Sequence, residues 1–214
     1  MQDLMISLGA IGMVTLLATM SPGPNMVAVI SASVGNGQKA GLLTGAGIVV
    51  AAMIWAIAAL LGLATLFELF PLVALSLRAV GALYLIWLGI KSILSMQGKS
   101  GFSVPETKVR STHFRAFKIG FTICITNPKA LLFFGSVLTA LVPARAPVWW
   151  SFSALLLMAG ISMTMHTITA TLFSRPAVMA RYLKAKRVIS GVFGVLFIGF
   201  GGKIALDTLR QLRS

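Results

Sequence analysis

Six stretches of this chain, at about 4–34, 40–66, 70–94, 116–142, 147–173 and 188–209, carry few or no ionisable side chains. About 20 apolar residues make a helix that crosses the hydrocarbon core of a bilayer, so each stretch is long enough to span a membrane. No water satisfies backbone donors and acceptors in lipid, which leaves helices and closed barrels as the spanning structures. A barrel strand would alternate apolar and polar residues over about ten positions, and no such pattern occurs. The expected fold is an all-α integral membrane protein with six transmembrane helices. Composition agrees, with only 10% charged residues and 57% apolar, against about 25% charged in a soluble domain. Those figures exclude a soluble enzyme and a disordered chain. The lone Cys124 excludes a secreted disulfide scaffold.

Two of the six stretches are interrupted. The first is too long for one simple crossing and contains Ser21-Pro22-Gly23-Pro24-Asn25; the fourth contains Thr126-Asn127-Pro128-Lys129. An interior proline removes a donor and clashes with the preceding turn, so helices 1 and 4 are expected to be broken at these proline motifs. The only long polar stretch, at about 95–115, divides the chain near its middle. Pro22 and Pro128 hold corresponding places in the two halves, and the Gly81/Gly89 frame of the third stretch recurs as Gly191/Gly199 in the sixth. Three spans per half force the second half to insert upside down, a construction found among secondary transporters. The chain therefore reads as one transmembrane domain over 1–214: repeat 1 at about 1–94, a basic loop at about 95–115, and repeat 2 at about 116–214.

A net charge of +14 would suggest nucleic acid in a soluble protein. Here the cations lie between apolar stretches, where they set topology and meet anionic lipid. Lys39, then Lys91, Lys99, Lys108, Arg110, Arg115 and Lys118, then Arg175, Arg181, Lys184, Lys186 and Arg187 follow spans one, three and five, while the other side holds Arg145, Arg210 and Arg213. This asymmetry predicts cytoplasmic loops after helices 1, 3 and 5, and both termini outside. Met1-Gln2-Asp3 lacks the basic start of a cleaved signal peptide, so the first span is expected to be retained.

Broken backbone at membrane depth is tolerated only against protein or a water-filled cavity. A break exposes the positive N-terminal end of the following half-helix, which suits a carboxylate, and carbonyls of the preceding half, which suit an ammonium. Asn25 and Asn127 add amides that both donate and accept. A zwitterion such as an amino acid satisfies both ends, which makes Pro22, Gly23, Pro24, Asn25, Asn127, Pro128 and Lys129 the candidate substrate-binding residues. Lys129 stands near mid-depth, where a charge is costly and usually faces a cavity, although snorkelling to an interface is the competing reading. His166, with an ordinary pKa of about 6.5, is a candidate for proton coupling or the pocket wall, as are Arg78 and Trp55 for the pocket. No carboxylate falls mid-membrane: Asp3, Glu68, Glu106 and Asp207 lie in loops or near span ends. Gly41, Gly45 and Gly47 suit close helix packing. With two histidines and no acid pair, an intramembrane enzyme lacks an activated nucleophile or metal set, and neither a cofactor nor a metal is expected.

The stretches Ser21-Pro22-Gly23-Pro24-Asn25, Gly81-Ala82-Leu83-Tyr84-Leu85-Ile86-Trp87-Leu88-Gly89 and Thr126-Asn127-Pro128-Lys129-Ala130 with Phe133-Phe134, together with Gly191 and Gly199, resemble the signature of the LysE/RhtB family of amino-acid exporters. Ile54-Trp55-Ala56, Leu60-Leu61-Gly62-Leu63 and Phe134-Gly135-Ser136-Val137 look like its threonine and homoserine efflux branch. The resemblance implies an inner-membrane exporter of small amino acids or derivatives, driven by the proton-motive force, with Pro22, Gly23, Pro24, Asn25, Asn127, Pro128 and Lys129 as the family's characteristic positions. Many relatives have histidine where Trp55 stands, and often an acid in span five where this chain has none. Transport of a lipid or metal ion on a related inverted-repeat scaffold is the alternative, and homo-oligomerisation is left open.

Overall fold

A computed structural model describes residues 1–69, 71–95, 113–143 and 146–213, and these are helical apart from short connections. In chain order the helices are α1 (Gln2–Met20), α2 (Pro24–Asn36), α3 (Gln38–Leu69), α4 (Pro71–Leu94), α5 (His113–Ile125), α6 (Pro128–Leu132), a π-helical segment (Phe133–Leu138), the single turn α7 (Thr139–Leu141), α8 (Val148–Phe173) and α9 (Pro176–Arg213). Both sequence breaks are real. Residues 21–23 part α1 from α2, and residues 126–127 part α5 from α6, where the chain bends by 55°. Each second half-helix opens on a proline, because the first helical position needs no N–H and favours a fixed φ.

Among the described residues four helices qualify as membrane spans by length and apolarity, in α1, α3, α8 and α9, and five when the bent pair about residues 126–127 is taken as one. The sequence expectation was six; among the described residues α4 adds the shorter apolar segment Ala79–Leu94. α9 in turn begins at Pro176, a dozen residues before the apolar stretch. The basic run Arg181, Lys184, Lys186 and Arg187 is good helix-forming sequence that hydropathy alone does not reveal.

Close contacts fix the relative directions. α8 runs alongside α1 and α2: Trp150 Nε1 donates to the Leu4 carbonyl at 2.9 Å, and at the far end of α8 Gln38 Nε2, at the start of α3, donates to Thr171 Oγ1 at 3.0 Å. It runs against α3, where a Cβ on Gly41 would meet Ala170 and one on Gly45 would reach His166 Cβ at 2.8 Å. α3 and α5 approach until their backbones touch, since a Cβ on Gly47 would strike the Phe117 carbonyl and one on Gly120 the Thr44 carbonyl. Thr44 Oγ1 ties the pair by donating to Ala40 and Ala116 carbonyls at 2.9 and 3.2 Å. α4 and α9 lie antiparallel, Gly89 against Gly194 and Ala82 against Gly201. Gly194 and Gly201, and not the repeated Gly199, thus carry the close approach on α9.

One end of the bundle therefore carries both termini, Leu4 and Trp150. The opposite end carries Gln38, Lys91 and Thr171, and there Ser92 Oγ donates to the Ser190 carbonyl at 2.7 Å. The core between them includes Ile11, Val14, Val29, Ile48, Leu85, Val137, Trp150 and Phe197.

Candidate functional site

The two breaks meet. Asn127 Nδ2 donates to Asn25 Oδ1 at 3.0 Å, and Asn25 Nδ2 points at Cys124 Sγ at 3.5 Å. Residues a hundred positions apart in the chain thus share one polar network inside an apolar bundle. Such a network is retained only where its members satisfy one another.

The first break has an extended Gly23 at the N-cap and Pro24 at the first helical position. No side chain caps α2, and the leading N–H groups of a helix have no partner of their own. At the second break Asn127 is the N-cap: its Oδ1 accepts from Lys129 N–H at 3.0 Å while its amide reaches Asn25. Tyr84 on α4 donates its hydroxyl to the Lys129 carbonyl at 3.3 Å, anchoring α6 from the other side. The Lys129 side chain reaches back across the first break, for a Cβ on Gly23 would lie 3.5 Å from Lys129 Nζ. Among the described residues no acid pairs with Lys129, so an ammonium group faces the uncapped end of α2.

Two cavities flank this junction. The inner one, about 70 Å³, is lined by break residues, by Thr15 and Thr19 of α1, by Met158, Ser162 and His166 of α8, and by Phe133 and Phe134. That volume has room for several water molecules, on a scale where one needs about 10–15 Å³. The outer one, about 410 Å³, lies towards the end opposite the termini, among Tyr84, Trp87, Lys91, Ser95 and Ser190. Ser21, Gly23, Pro24, Asn127 and Lys129 line both and form the partition between them. At the end with the termini a third cavity of about 580 Å³ is lined by Asp3, Ser7, Asp207, Thr208 and Arg210 among others.

Of the residues singled out in the sequence, Gly23, Pro24, Asn127 and Lys129 come together on both cavities, Pro22 on the outer one, and Asn25 and His166 on the inner one. Pro128 opens α6, and its side chain lies outside the described residues, as does that of Arg78 on α4. Trp55 lines neither cavity; it packs on the core with its indole N–H buried and unpartnered. Thr15, Tyr84, Met158 and Ser162 were not anticipated. Met158, Ser162 and His166 recur every four residues on the buried face of α8, a spacing that places them on one side of a helix. That signal was present in the sequence.

Residues 16–208 match the LysE type translocator family. The threonine efflux protein of Escherichia coli (strain K12) is 32% identical over 194 residues, covering 89% of this chain and 93% of the relative. The leucine efflux protein of Salmonella choleraesuis (strain SC-B67) is 31% identical over 189 residues, covering 86% and 87%. An uncharacterized membrane protein of Escherichia coli (strain K12), YahN, is 30% identical, with 89% and 85% covered. No solved structure matches.

Proposed function

The chain belongs to the LysE type translocator family, and from that premise we propose that it exports small neutral amino acids, threonine- or homoserine-like, across the inner membrane. It is a multi-pass membrane transporter and not an enzyme. The observation that carries the substrate reading is the Asn127–Asn25 hydrogen bond at 3.0 Å, which joins two broken helices between two cavities. A zwitterion fits the charges on offer. Its carboxylate is held by the uncapped N–H groups of α2 and the Lys129 ammonium, the arrangement that stabilises anions at helix starts. Its ammonium is held by carbonyls of the last turn of α1, which have no intrahelical donor.

Transport proceeds by alternating access across the partition of break residues. Substrate enters the outer cavity past Lys91 and Ser95, crosses as the Asn25–Asn127 contact opens, and leaves through the cavity beside Asp3 and Asp207. The chain crosses the membrane six times as two inverted three-helix repeats. In support, α3 packs on α5 as α8 packs on α1 and α2, which are equivalent pairs under such a repeat. The basic residues at the end with Lys39, Lys91 and Arg175 support a cytoplasmic position against anionic lipid and external termini. The proton-motive force drives export, with His166 on the inner cavity as the group that exchanges the proton.

Proteoliposomes loaded with labelled threonine test this reading. Threonine efflux is expected, accelerated by an imposed proton gradient and abolished in Asn25→Ala/Asn127→Ala at normal protein yield. Undiminished efflux from the double variant overturns the site.

A further inference from the structure

Buried hydroxyl groups in helices ordinarily return a hydrogen bond to the carbonyl four residues back. Here Ser33 does so to Val29 at 2.7 Å, Thr44 to Ala40 at 2.9 Å and Thr208 to Ile204 at 2.8 Å. Thr15 departs from that pattern. It is 6% exposed, its Oγ1 is buried without a partner among the described residues, and it lines the inner cavity. Ser162 of α8 lines the same cavity and is equally buried, and no hydrogen bond engages its hydroxyl among the described residues. Leaving a buried hydroxyl unsatisfied costs about 1–3 kcal/mol, so Thr15 Oγ1, with the unengaged Ser162 hydroxyl on the same small cavity, marks the place of a polar ligand atom. The wall also carries the apolar Ile48, Met158, Phe133 and Phe134 and the polar groups of the break residues, Thr19 and His166, and among the described residues none of these engages Thr15 Oγ1.

We infer that Thr15 and Ser162 are specificity-determining residues that hold the hydroxyl of a hydroxy amino acid's side chain, an assignment that rests on the zwitterion site proposed above. Thr15 lies six residues before Ser21 on α1, on the order of 9 Å at 1.5 Å per residue. That is the reach of a short hydroxy amino acid with a hydrogen bond at each end, its carboxylate at the break and its side chain towards α8. A site that hydrogen-bonds a substrate hydroxyl rejects the analogue lacking it far more strongly than an apolar pocket rejects an added hydroxyl. Valine is the test substrate, because it has threonine's shape with a methyl in place of the hydroxyl.

The experiment measures efflux of labelled threonine and labelled valine from proteoliposomes of the full chain, for wild type, Thr15→Val, Ser162→Ala, the double variant and Thr15→Ser. Wild type is expected to prefer threonine by at least about tenfold. Thr15→Val/Ser162→Ala is expected to export valine at the wild-type rate or faster with the preference gone, and Thr15→Ser to restore it. Continued valine export certifies that the double variant is folded. Equal export of the two substrates by wild type, or an unchanged preference in the double variant, overturns the inference while leaving amino-acid export intact. Export of neither by wild type overturns the transport reading and this assignment with it.

Discussion

The two broken helices solve the same problem in different ways. At residues 21–23 the chain leaves α1, passes through an extended Gly23 and starts α2 with no side chain over its first turn. At residues 126–127 the second half-helix is capped from within, Asn127 Oδ1 on Lys129 N–H, and is anchored again by Tyr84. In the proposed site, one break serves as an open anion seat and the other as a closed bracket that brings a cation and an amide to it. A pair of open breaks would leave two helix ends competing for one ligand. A pair of closed ones would leave nothing to bind it.

Several substitutions sharpen or break this contrast. The largest effect is expected from Gly23→Asp. The extended backbone there accepts any residue, and the new carboxylate would cap α2 beside Lys129, as Asp caps helices generally. Export should vanish while the melting temperature rises; retained export would mean that the seat is not used. Lys129→Met should come next, with threonine efflux down about tenfold or more, the scale of one lost charge-assisted hydrogen bond, and with Lys129→Arg intermediate. Asn127→Leu and Asn25→Leu both remove the bridge, but only Asn127 caps its own helix. Thermal unfolding should therefore place Asn127→Leu lower in stability by roughly 0.5–2 kcal/mol, the worth of an N-cap; equal losses would contradict the asymmetry. The smallest effect belongs to Gly23→Ala. Its methyl would stand 3.5 Å from Lys129 Nζ, ordinary contact, so export within about twofold of wild type is expected, although Ala is the poorer N-cap.

Much of this was legible in the residues. Pro22-Gly23-Pro24 and Asn127-Pro128 announced where helices end and begin to within a residue or two, because proline acts locally on its own φ and the preceding turn. Gly41, Gly45 and Gly47 announced a close seam, and α3 packs with no room for a Cβ at any of them. What depends on partners was not legible. Nothing local distinguishes Thr15 from Thr44, yet one faces a cavity and the other a neighbouring backbone. The π-helical stretch Phe133–Leu138 packs against α4 and α3, a tertiary setting without a sequence sign. Trp55 looked like a pocket residue by its place in a family stretch, whereas the structure turns the cavity face of α3 through Ile48, Ala52 and Met53.

The central claim is that a substrate carboxylate sits between the open end of α2 and the Lys129 ammonium. Its most direct test is equilibrium binding, to the purified protein in lipid nanodiscs, of labelled threonine and of threoninol, which keeps the ammonium and hydroxyl but lacks the carboxylate. Wild type should bind threonine and not threoninol, and Lys129→Met should bind threonine as weakly as wild type binds the amino alcohol. Equal affinity of wild type for the two ligands would contradict the account.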